Sequence, residues 1–168
     1  MVKSFGISFL ILLTLAIVET AILSNITILP AVPDLVLLGS IYISLVNGRG
    51  MGELSGFSSG LIMDFLGGAP FGFNCIFRTI ITYISGFFGG TINYNGFLIP
   101  FVIGLIATVS KAFLIWIISL FYTSVLNYTI FSLPFLFELL ANAFLAPVIF
   151  KLCGCFKRQL ALYGEDRR

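Results

Sequence analysis

The sequence predicts an all-α integral membrane protein, a compact bundle of six transmembrane helices forming a single domain over residues 1–168. Three observations predict it. Of the 168 residues, 59% are hydrophobic and only 10% charged, at a mean hydropathy of +1.12, against ~25% charged in an ordinary soluble domain. Six apolar segments, at about 5–24, 33–47, 52–67, 73–91, 97–122 and 131–151, are separated by short breakers, and at about 20 residues per crossing they leave no room for a soluble domain. Lys and Arg gather at alternate connections, as they do when those connections share the cytoplasmic side.

The first segment follows Lys3 and resembles a signal peptide, but Glu19 stands where small cleavage-site residues belong. It therefore reads as an uncleaved helix. Pro30 and Pro33 separate it from the second. The second and third segments run to only about 15 residues each, nearer 22 Å than the 30 Å of hydrocarbon. They are either two tilted spans or a re-entrant hairpin, and two spans place Arg49 on the cytoplasmic side with Lys3. The turn Gly67 to Gly72 leads into the fourth segment, Asn93 to Gly96 into the fifth, and Asn127 to Ser132 into the sixth. Lys151 closes the sixth segment, and Lys157, Arg158, Arg167 and Arg168 lie in a basic tail at 152–168. Both termini are thus expected in the cytoplasm. Connections 25–33, 67–72 and 123–131 lack Lys and Arg and are expected outside. Tyr122 and Tyr128 flank the last of these, as an interfacial belt does.

The third segment carries the most specific pattern. Gly52, Gly56, Gly60 and Asp64 are spaced by four, which on a helix makes a slowly winding ridge, with Ser55 and Ser59 beside it. Small residues let helix backbones approach in lipid, where water drives nothing together. Gly86, Gly89 and Gly90 with Ser85 form a second patch on the fourth segment. Packing within the bundle and dimerisation both fit such faces. Asp64 ends the ridge, and a charge inside a span needs a partner. Arg78, six residues into the next segment, is the expected one. The pair serves either hairpin register or a functional cavity.

Glu19, Lys111 and Glu138 also lie inside segments. At about 1.5 Å per residue all three fall in the outer half of the bundle, so Lys111 is expected near Glu138 or Glu19. Internal salt bridges and a proton or substrate path remain equal readings.

Catalytic constellations are missing. Without histidine the chain has no Ser-His-Asp or Cys-His arrangement, and no serine has an activating base nearby. The three cysteines, Cys75, Cys153 and Cys155, make no metal tetrad and read as reduced thiols. NGRGMG, residues 47–52, does not match a phosphate-binding fingerprint. Cofactors and metals are not expected, nor is a nucleic-acid partner, because the nine Lys and Arg form no basic groove. The sequons at Asn25 and Asn127 carry little information.

Taken together, Pro33-Asp34-Leu35, Arg49, the ridge Gly52, Gly56, Gly60 with Asp64, and the turn Gly68-Ala69-Pro70-Phe71-Gly72-Phe73-Asn74 resemble the rod shape-determining protein MreD family over residues 33 to 90. The resemblance implies a non-enzymatic component of the bacterial inner membrane, working in cell elongation and peptidoglycan synthesis. Implied partners are an MreC-like bitopic protein, the glycosyltransferase RodA with its transpeptidase, and an MreB-like filament. That family is similar in fold to the S components of ECF-type vitamin transporters, which makes a small-molecule carrier the main alternative. The AxxxA docking motif common in S components does not appear, since Ala16 and Ala21 are five apart. A proton-coupled transporter working through Lys111 or Glu138 is a third reading.

Overall fold

A computed structural model of the chain describes residues 2–26, 29–68, 70–92, 94, 96–121 and 132–160. The connection carrying Tyr122, Tyr128 and the Asn127 sequon, and the tail from residue 161, lie outside the described residues. Among those residues the chain is all helical. Six helices, α1 (Val2–Ile17), α2 (Leu35–Asn47), α3 (Arg49–Gly67), α4 (Phe73–Phe87), α5 (Leu98–Phe121) and α6 (Leu133–Gly154), are followed by a single turn, α7 (Lys157–Leu160). Helix α1 continues through a π-helical segment, Val18–Ile22, and a 3-10 turn, Leu23–Asn25.

The helices fall into two kinds. The stretches Ser4–Asn25, Leu98–Leu120 and Leu133–Gly154 are long and apolar enough to cross a membrane. Helix α2 is too short by itself, at 13 residues or about 20 Å. Every residue from Leu35 to Leu45 is buried, so α2 forms the axis of the bundle and touches α1, α3, α4 and α6. Its side chains Val36, Leu37, Ile41 and Ile43 are at most 1% exposed, and Leu12, Phe77, Ile115 and Ile149 join them in one core. The outward faces are apolar too, as a lipid-facing surface requires: Leu136, Leu140, Phe144, Val148 and Leu152 form a stripe along α6.

Glycine sets the closest contacts. A Cβ at Gly56 would lie 2.8 Å from the Arg78 carbonyl oxygen and from Thr79 Cα. At Gly60 it would lie 2.6 Å from Cys75 N, and at Gly52 it would be 2.6 Å from the Thr82 carbonyl. The ridge therefore faces α4 backbone directly, which no larger residue permits. From the other side, Gly86 meets Arg49 and Gly89 meets Gly48, locking the end of α4 to the start of α3. Gly90 is a correction: it lies past the end of α4 with φ +76°, and nothing stands within 4 Å of its Cβ position. It makes a turn rather than a packing contact. Helices α5 and α6 meet through Gly104, whose Cβ position is 2.8 Å from the Asn142 carbonyl and 2.9 Å from Ala146.

The contacts define two ends. One gathers the start of α2 with the π segment and the middle portions of α5 and α6. The other gathers Tyr42, Tyr94 and Phe150, whose rings pack edge to face, with Arg49 beside Gly86.

Candidate functional site

Because α2 is short, its first turn begins inside the bundle, and its free N–H groups must be met by protein. Pro33 enters buried, and Asp34 then caps the helix, its Oδ1 accepting from Leu37 N–H at 2.9 Å. Glu19 Oε2 accepts from Val36 N–H at 3.0 Å. The π segment that holds Glu19 shifts its register on α1, and such insertions recur at functional sites. Asn142 Oδ1 accepts from the Asp34 N–H at 2.8 Å, while Asn142 Nδ2 donates to Thr108 at 3.0 Å and Thr108 donates to the Gly104 carbonyl.

Two cations converge on the same aspartate. Arg78 Nη2 donates to both Asp34 oxygens, at 2.8 and 2.9 Å. Lys111 Nζ donates to Asp34 Oδ2 at 2.8 Å and to Glu138 Oε1 at 2.6 Å. The result is a chain of ion pairs, Arg78–Asp34–Lys111–Glu138, spanning α4, the start of α2, α5 and α6. Side chains of Asp34 and Arg78 are 2% exposed, those of Lys111 and Glu138 16% and 12%, so the chain runs from the core toward the surface. Arg78 uses one nitrogen only. Its Nε and Nη1 are buried without a partner.

The expected Asp64–Arg78 pair does not form. Asp64 is 2% exposed, but its Oδ2 accepts from Gly72 N–H at 2.8 Å and its Oδ1 from the backbone and side-chain nitrogens of Asn74, both at 2.9 Å. The tight connection, with Gly68 at φ +67° and Gly72 at φ +90°, brings the opening N–H groups of α4 onto Asp64, which acts as their cap from the preceding helix. Arg78 lies one turn farther along α4, on the side toward α2. Thus Gly72, Asn74 and Asp64 form one local cluster, and Asp34, Arg78, Lys111, Glu138 and Glu19 another. Arg49 belongs to neither; it is exposed at the opposite end, 4.7 Å over the Phe87 ring.

Sequence reasoning placed Asp34 only in the family motif and missed Asn142, Thr108 and Gly104. A signal was present. Gly104, Thr108 and Lys111 follow at helical spacing, as do Glu138, Asn142 and Ala146, so each long helix carries a small and polar stripe on one face.

This arrangement offers no nucleophile with a base, and no group of metal ligands occurs among the described residues. What it does is tie four helices through charge. The family described as rod shape-determining protein MreD matches residues 3–156. The chain belongs to the MreD family. Searches of curated proteins and of solved structures returned no match. MreD proteins are membrane proteins of rod shape determination, associated with the cell-shape machinery, and are not known as enzymes.

Proposed function

We propose that the chain is a non-enzymatic scaffold of the bacterial cell-elongation machinery, a bundle of six transmembrane helices in the inner membrane that holds partners of peptidoglycan synthesis. The observation that carries this reading is the buried ion-pair chain. Its charges are matched against one another and against the start of α2, where an enzyme would aim them at a substrate. A rigid body with apolar outer faces suits the holding of other membrane helices. The partners are an MreC-like bitopic protein, RodA with its transpeptidase and, across the cytoplasmic face, an MreB-like filament. The distribution of Lys and Arg supports cytoplasmic termini, with the ion-pair chain in the outer half. Depleting the protein should turn rods into spheres, and affinity capture should recover a bitopic coiled-coil protein. Normal rods after full depletion would refute the reading.

One observation favours a second reading, a small-molecule carrier with the S-component fold. Arg78 Nε and Nη1 are buried donors without a partner, and a carboxylate-bearing ligand would satisfy both. Protein purified without added ligand should then carry a stoichiometric small molecule that Arg78→Lys releases.

A further inference from the structure

The bundle presents two apolar heights. On α5 exposed apolar side chains run from Leu98 through Ile106 and Phe113 to Leu120, about 33 Å of helix. On α6 they run from Leu133 to Leu152, about 28 Å, with exposed Lys151 beside the last of them. The side formed by α3 and α4 is shorter. Its exposed apolar side chains run on α3 from Leu54 to Leu66 and on α4 from Ile76 to the C-cap Phe88, about 18 Å in each case. Accordingly, neither helix joins the three stretches long and apolar enough to cross a membrane.

Polar groups mark both edges of this face. At one edge exposed Glu53 immediately precedes Leu54, and the Arg49 guanidinium stands 4.7 Å over the Phe87 ring. At the other the chain turns through Gly68 and Gly72 just past Leu66, with the Phe71 ring 5.1 Å from that of Phe65. The height is also fixed. Asp64 holds the N–H groups of Gly72 and Asn74 at the turn, and Gly86 meets the Arg49 backbone at the opposite edge, so neither helix can slide along the other to lengthen the face.

We propose that the α3–α4 face stands in a thinned patch of bilayer and gathers phospholipids with short acyl chains. The proposal takes from the reading above only that α3 and α4 lie in the membrane. Side-chain reach adds equally to both heights, so the deficit of about 10–15 Å relative to α6 and α5 stays. A bilayer core is about 30 Å thick. Against this face an unthinned bilayer would put either Glu53 or the open backbone of the turn into hydrocarbon, and both are costly. A pair of helices locked at both ends cannot stretch, so the lipid beside it must shorten. Length also selects the occupant, because a partner helix of ordinary span carries about 30 Å of apolar surface and meets the same mismatch. Short acyl chains cover the face without burying its polar edges.

Tryptophan quenching by brominated lipid tests the two heights separately. Trp116, the single tryptophan of the chain, is 40% exposed on α5 and reports the tall side. Phe57→Trp on α3 and Ile84→Trp on α4, each combined with Trp116→Phe, report the short side from positions 50% and 52% exposed. The full chain is reconstituted in vesicles that mix dibrominated dioleoylphosphatidylcholine, as quencher, with either dimyristoleoyl- or dierucoylphosphatidylcholine. Relief of quenching then gives the relative binding of the short and the long lipid beside each tryptophan. The short-to-long ratio should be roughly three- to tenfold higher at both introduced tryptophans than at Trp116. Equal ratios at all three positions overturn the proposal while leaving six spans in place. Absence of quenching at both introduced tryptophans, with Trp116 quenched, overturns it together with the placing of α3 and α4 in lipid.

Discussion

Asp34 receives four side-chain and backbone hydrogen-bond contacts on two oxygens, from Leu37, Arg78 and Lys111. Removing its charge while keeping its shape, Asp34→Asn, leaves Arg78 without an ionised partner in the core. Breaking one side of a buried pair costs about 3–5 kcal/mol, so denaturant unfolding in detergent should show a loss of that order. Asp64→Asn is expected to cost less, about 0.5–2 kcal/mol, because its partners are neutral N–H groups at a helix start. Charge exchange separates the two aspartates further. Exchanging Asp34 with Arg78 should recover part of the stability lost in either single reversal, whereas exchanging Asp64 with Arg78 should recover none. Recovery in the second exchange but not the first would contradict the ion-pair chain. At this scale the sequence revealed that the charges needed partners and left open which, because helix rotation decides whether two residues in neighbouring spans face each other.

Elements are governed by the contrast between glycines that touch backbone and glycines that do not. Gly56→Leu places a side chain where Arg78 and Thr79 backbone already stand, so α3 and α4 must part. A cost of about 1–3 kcal/mol is expected for such overpacking. Gly50 lies in the same helix with nothing within 4 Å of its Cβ position, and Gly50→Ala should gain about 0.5–1 kcal/mol through helix propensity. Equal effects at the two positions, measured in one unfolding series, would remove the close-approach argument. The four-residue spacing made the ridge legible, since one periodicity fixes one face. The role of Gly90 was not legible: adjacent glycines look alike in sequence, and only the end of α4 at Phe87 puts Gly86 in a helix and Gly90 in a turn.

For the whole molecule the arrangement follows from a short apolar helix enclosed by longer ones. Helix α2 is covered on all sides and contributes the core, while α1, α5 and α6 present apolar surface outward. Thiol reactivity reads both the packing and the proposed orientation. Cys155 is exposed, whereas Cys75 and Cys153 are buried. In purified native protein a maleimide should label Cys155 alone, and all three only after unfolding. On intact cells a membrane-impermeant maleimide should label none, because the end of α6 is proposed to face the cytoplasm. Labelling of Cys155 from outside would invert the orientation.

Composition and periodicity by themselves determined that this chain is helical, apolar and bound for a membrane, and its motifs led to the MreD family. These follow from local chemistry: one residue after another must be apolar enough for lipid, or small enough for a neighbouring backbone. Only the tertiary structure decided that Asp34 receives both Arg78 and Lys111, that Asp64 caps α4, and that the exposed apolar face of α3 and α4 is shorter than that of α5. Those outcomes depend on how six helices rotate and tilt against one another, a choice made jointly by contacts far apart in the chain.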